Sequence, residues 1–111
     1  MTTQITDQMT PFGEEKLIGF EGRKNRVYDD DTGKPIPKGG KALGTATGGI
    51  GHTGADLVPW IGKVIPDDVI DQWFREDVAE AADIVDRAVK VELTPYQRDC
   101  LISFAFNVGP G

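Results

Sequence analysis

Residues 45–54 read TATGGIGHTG, four glycines and the only histidine of the chain within ten positions. Three structures use such a stretch: a loop that cradles phosphate, a metal site, or a tight turn in the wall of a cleft. Gly49, Gly51 and Gly54 spell G-x-G-x-x-G, but a dinucleotide loop follows a buried apolar strand and opens a helix. Here KGGKALGTAT precedes the glycines and ADLVPW follows them, so neither flank fits. His52 has no second histidine to join it, and Cys100 lies far along the chain, which leaves a zinc ion with carboxylates alone. No metal and no cofactor are expected. A glycine-rich hairpin remains, either as plain structure with His52 as a hydrogen-bonding residue or as part of a site.

The stretch upstream, FEGRKNRVYDD at 20–30, bears on that choice. Glu21 stands beside Gly22 at an expected helix end, and Asp30 follows nine residues later in a polar turn. Two carboxylates in different surroundings are what glycosidic bond cleavage uses. One is kept protonated for the leaving oxygen, and the other is ionised to handle water or developing positive charge. Isolated acids elsewhere are mostly solvated surface groups, so context has to carry the reading.

Working outward, Thr10 and Pro11 form an N-cap and first helical position. Phe12, Leu17, Ile18 and Phe20 then give one side of a helix that stops near Glu21–Gly22. From Tyr28 to Thr53 the turn signals DDDTGKP and PKGGK predict short strands and hairpins. Ile70, Phe74, Val78, Ala81, Val85 and Ala88 recur at steps of three and four, so a long amphipathic helix is predicted over 66–90. Thr94 and Gln97 make a capping box around Pro95. The helix it opens, 95–108, carries Leu101, Ile102, Phe104, Ala105, Phe106 and Val108, is apolar nearly all round, and wants cover on every side.

A chain of 111 residues has room for one modest core in one unit or two small lobes. Its 39% apolar and 27% charged residues are those of a globular chain. A formal charge of −6 repels nucleic acid and anionic membranes, so neither is an expected partner. Cys100, the single cysteine, has no partner for an internal disulfide. No run approaches a membrane span, and MTTQITDQMT lacks the layout of a secretory signal. The expected place of synthesis is the cytoplasm.

In order and character, FEG, YDD and TGGIGHTG resemble the E-G, Y-x-D and T-x-G-x-G-H-T pattern of phage endolysins of the T-even-phage lysozyme family. LTPYQRDCLISFAFNVG resembles that family's helix ending in F-N-x-G. The matched pieces run from about 12 to 109. The resemblance implies an α+β, lysozyme-like fold: a β-hairpin lobe over 12–60, a linking helix over 66–90, and the first part of a helical lobe over 94–109. It implies a muramidase acting on the β-1,4 bond between N-acetylmuramic acid and N-acetylglucosamine of bacterial peptidoglycan, made in the host cytoplasm and acting on the wall after release. Glu21 falls on the general-acid position, Asp30 on the second carboxylate and Thr47 on the catalytic threonine. Gly49 and Gly51 become turn residues of the cleft wall, Tyr28 a neighbour of the substrate, and His52 a brace, with Glu21 as its candidate partner.

This chain departs from the pattern in two places. The interval between Asp30 and Thr47 is enlarged by DTGKPIPKGGKALGTA, so Asp29 or Asp31 competes for the role of Asp30. The family also continues beyond its F-N-x-G helix, whereas this sequence stops at Gly109-Pro110-Gly111. The expectation is a truncated or split endolysin, with Phe104 and Phe106 covered by another copy or a second polypeptide. The alternatives are a lytic transglycosylase and a non-enzymatic interaction module. An inverting hydrolase would hold the carboxyls of Glu21 and Asp30 roughly 6.5–9.5 Å apart. Glu21 is expected to be shielded and Asp30 more exposed, with Arg23 or Arg26 able to oppose the shielding by pairing with Glu21.

Overall fold

The computed structural model describes residues 4–108. The order is α1 (Pro11–Glu21), β1 (Lys24–Asp29), β2 (Ala46–Gly49), β3 (His52–Thr53), a 3-10 segment (Ala55–Trp60), α2 (Asp67–Ala88) and α3 (Pro95–Val108). Helices with one small antiparallel sheet are the α+β class expected. The Gly109-Pro110-Gly111 ending lies outside the described residues. The chain divides into two compact units, Glu21–Trp73 and a second made of Met1–Phe20 with Phe74–Gly111.

In the unit Glu21–Trp73 the strand order is β1-β2-β3, all antiparallel. Tyr28 faces Thr47 and Asp29 faces Ala46, and a register shift separates them from the Lys24–Gly49 pair. The first strand begins at Lys24, earlier than the glycine and proline signals indicated, because a polar KNR run carries no strand signature of its own. Val27, Ile36, Ile50, Leu57, Ile65 and Ile70 are buried together. Gly48 belongs to this core through what it lacks: a Cβ there would stand 3.0 Å from Leu57 and 3.1 Å from Ile65, inside ordinary contact distance.

The other unit is built on the amphipathic stripe of α2, where Phe74, Val78, Ala81, Ala82 and Val85 are buried; Ala88 is exposed at the helix end. On α3 this chain itself supplies part of the cover the helix wants: Ile102 is fully buried, and the half-buried Phe106 lies with its ring centroid 5.9 Å from that of Phe74. Phe104 stays 68% exposed. Phe12 and Phe20 on α1 are also exposed, and the buried residues of that helix are Gly13, Glu14 and Leu17.

Two buried carboxylates explain how α3 gains a partner the sequence did not reveal. Asp99 accepts from the Thr10 amide at 3.1 Å and its hydroxyl at 2.5 Å, and Glu14 accepts from the amides of Ile5 and Thr6. Arg98 donates to the carbonyl of Gln8 at 2.5 Å and grips Asp86 with two nitrogens. The polar start of the chain is thereby stitched to α1 and α3, each buried acid satisfied by donors as burial requires.

Candidate active site

Glu21 is the last residue of α1, and Gly22 after it takes φ +77°, the left-handed turn that ends helices. The chain turns there straight into β1, which leaves the Glu21 carboxyl half-buried beside the sheet. Its Oε1 is buried and has no hydrogen-bond partner among the described residues, and desolvation holds its pKa above the usual carboxyl value. Among the described residues, neither cation that could have cancelled this pairs with Glu21. Arg23 donates to Asp71 at 2.8 Å and to Asp67 at 3.2 Å, and Arg26 reaches only the Gly62 carbonyl at 3.5 Å.

Tyr28 is the point around which the expected residues gather. Burial raises its pKa first, and the negative charges of Glu21 and Asp30 add to the rise, so both carboxylates act on one phenol. Thr47, buried on β2, is its cross-strand partner. The Thr47 hydroxyl donates to the Thr45 carbonyl at 3.2 Å. Asp30 is exposed and closes the same corner: its amide donates to Thr45 O at 3.1 Å, and its Oδ1 accepts the Thr45 amide at 2.7 Å.

Each glycine of the 45–54 stretch has its own reason. Gly49, at the end of β2, and Gly51, in the turn to β3, take φ +60° and +65°. A Cβ on Gly51 would stand 2.6 Å from Oε2 of Glu21, so the turn is bare where the acid lies against it. A Cβ on Gly49 would press on Ile70 and Trp73 at 3.3 and 3.4 Å. His52 is buried on β3, and its Nε2 meets both oxygens of Asp56, at 2.8 and 3.0 Å. Its ring stacks on Trp73 with centroids 4.6 Å apart. The brace at Nε2 thus runs to Asp56, not to the expected Glu21, and neither Asp56 nor Trp73 had a signal in the sequence.

The three adjacent aspartates separate cleanly. Asp29 is buried and accepts backbone N–H groups from Leu43 at 2.7 Å, Asp31 at 3.0 Å and Gly44 at 3.1 Å. The Leu43 N–H is the largest influence holding its pKa below the usual value, against the desolvation of the site, with Asp31, Gly44 and Thr32 adding to it. Asp29 therefore ties down the enlarged loop and has no oxygen free for catalysis. The carboxylates of Asp29, Asp30 and Asp31 lie within 4.8 Å of one another, but those of Asp29 are already used by amides. Because a depressed carboxyl pKa adds stability above the unfolded value, near 3.9, and loses it as pH falls through the folded value, Asp29→Asn is expected to lower the melting temperature at pH 7. Its deficit relative to the parent should close below about pH 4. A deficit equally large at pH 2.5 in a calorimetric series contradicts the assignment.

A family model described as phage lysozyme matches residues 18–111. The chain belongs to the phage lysozyme family. Among its relatives, the endolysin of Bacillus phage B103 is 38% identical over 102 residues, covering 89% of this chain and 34% of that protein. The phage lysozyme fold is seen in a variant of P22 lysozyme, similar at a TM-score of 0.67 and 27% identity over 92% of this chain and 64% of that one. The muramidase domain of SpmX from Asticaccaulis excentricus is similar at a TM-score of 0.65 and 27% identity, over 91% of this chain and 59% of that chain. The chain spans about a third to a half of the length of the curated relatives it matches. Its fold is lysozyme-like.

Proposed function

We propose that this chain cleaves the β-1,4 bond between N-acetylmuramic acid and N-acetylglucosamine in bacterial peptidoglycan by hydrolysis with inversion. The observation that carries the reading is the contrast between two carboxyls acting on one phenol. Glu21 is desolvated with an orphaned oxygen and a raised pKa, while Asp30 faces solvent. A raised pKa keeps Glu21 protonated into the range where it can donate to the leaving oxygen. As the glycosidic bond breaks, water attacks the anomeric carbon from the opposite face and gives its proton to Asp30. The Thr47 hydroxyl hydrogen is committed to Thr45 O, so its lone pairs accept from that water and fix its orientation. The host cytoplasm is the place of synthesis in this reading, and the wall is the target after release.

The test is the first product. NMR during digestion of purified glycan strands is expected to show a new reducing end whose first-formed anomer is α, followed by mutarotation. A β-anomer first would mean retention, and an internal anhydro sugar without a reducing end would mean a transglycosylase; either result overturns inversion by the Glu21–Asp30 pair.

A further inference from the structure

On the outer side of β1 lies an open cavity of about 610 Å³, lined by Arg23, Lys24, Asn25, Arg26, Tyr28, Gly33 and Pro35. Two of its cations are uncommitted. Arg23 is held by Asp71 and Asp67, but Lys24 and Arg26 are exposed and, among the described residues, have no carboxylate partner. Among the described residues, the one hydrogen bond of Arg26 is its 3.5 Å contact to Gly62 O. These free charges stand on a chain whose formal net charge is −6, so they reverse locally a field that otherwise repels anions. The groove also shares Tyr28 with the catalytic group, because that phenol feels both Glu21 and Asp30.

We infer that this groove binds the carboxylates of the peptide stems that peptidoglycan carries on muramic acid. The inference rests on the muramidase reading and adds the part of the substrate that lies off the sugar chain. Every second sugar of such a strand bears a lactyl ether that continues into a peptide with free carboxylates. An enzyme cutting next to muramic acid therefore meets anions on stems that reach on the order of 10 Å from the scissile bond, a lactyl group and about two residues away. Arg26 offers a planar fork that matches a carboxylate, and Lys24 a second cation two residues away. Exposed cations with no internal partner keep their binding capacity for the ligand and bring a salt dependence with it.

Cosedimentation of the chain with insoluble peptidoglycan tests this without requiring turnover. Three walls are compared: untreated, with carboxyls converted to amides by carbodiimide coupling, and with phosphodiester polymers removed by hydrofluoric acid. Amidation is expected to weaken binding about tenfold, as is the double variant Lys24→Gln/Arg26→Gln on untreated wall. The double variant should be indifferent to amidation, because both changes delete the same contact. Phosphodiester removal should change nothing, and Arg26→Lys with Lys24 intact should bind between the parent and the double variant, because it keeps the charge and loses the fork. A double variant that binds like the parent, or that still loses affinity on amidation, overturns the inference. So does loss on phosphodiester removal alone, which would give the groove to a phosphate polymer, and so does failure of the parent chain to bind untreated wall. Reducing ends released from peptide-stripped strands are followed in parallel. If none appear while the binding pattern holds, the muramidase reading fails and the groove stands.

Discussion

Glu21→Gln is expected to lower peptidoglycan hydrolysis by about a thousandfold while leaving the protein folded. The amide keeps the size of the side chain and removes the proton that the leaving oxygen needs. Stability should move the other way. Desolvation has raised the folded pKa of Glu21, so ionisation is disfavoured in the native state and costs stability once pH rises above the unfolded value near 4.3. A neutral Gln escapes that cost. Its melting temperature should therefore equal or exceed that of the parent at pH 7, with the difference vanishing near pH 4. On the proposed mechanism, the activity of the parent chain should fall as pH rises through the Glu21 pKa, because the donor is then lost. Activity that stays flat to pH 9, or a Gln variant that retains a tenth of the parental rate, would remove Glu21 from the role of acid.

Gly51→Ala should be nearly as damaging, for a different reason. At φ +65° an alanine carries about 1–2 kcal/mol of backbone strain. Its methyl would also need the space 2.6 Å from Glu21 Oε2, so the carboxyl has to leave its place against the turn. A displacement of that size at a catalytic group is expected to reduce the rate by about a hundredfold. Gly39→Ala is the control: Gly39 has φ +80° and open space around its would-be Cβ. It should show the strain as a lower melting temperature and no loss of rate. If Gly51→Ala and Gly39→Ala behave alike in both measurements, the contact with Glu21 is immaterial.

What could be read from the sequence was what local chemistry encodes. The Thr94–Gln97 capping box is present with both reciprocal bonds, at 2.9 and 3.2 Å. Thr10 caps α1 through its hydroxyl to the Gly13 amide, and the α2 stripe is buried as its spacing indicated. The nearness of Glu21, Asp30 and Thr47 to Tyr28 was legible because their motifs are short and ordered along the chain. The misses all depend on partners distant in sequence. Nothing local distinguishes Asp29 from Asp30, and only the amides arriving from residues 43 and 44 do so. Glu14 and Asp99 read as surface acids until Ile5, Thr6 and Thr10 bond to them, since burial of a carboxylate is decided by the donors it finds. Phe12 read as part of the apolar side of α1, and its exposure was not legible because apolar character is a property of the residue, whereas burial belongs to the packing.

The Asp29 anchor also shapes how this lobe can change over evolutionary time. One carboxylate clamps the returning end of the enlarged loop at Leu43 and Gly44, while the outgoing end is fixed by Ile36, whose amide bonds Val27 O. Both attachment points are therefore independent of what lies between them. The stretch 37–42 can gain or lose residues with an entropic cost that grows only as the logarithm of its length, and Asp30 beside the clamp does not have to move. Length variation is thus channelled into one segment of the lobe, and lineages can try new contacts there without renegotiating the geometry of the acid pair.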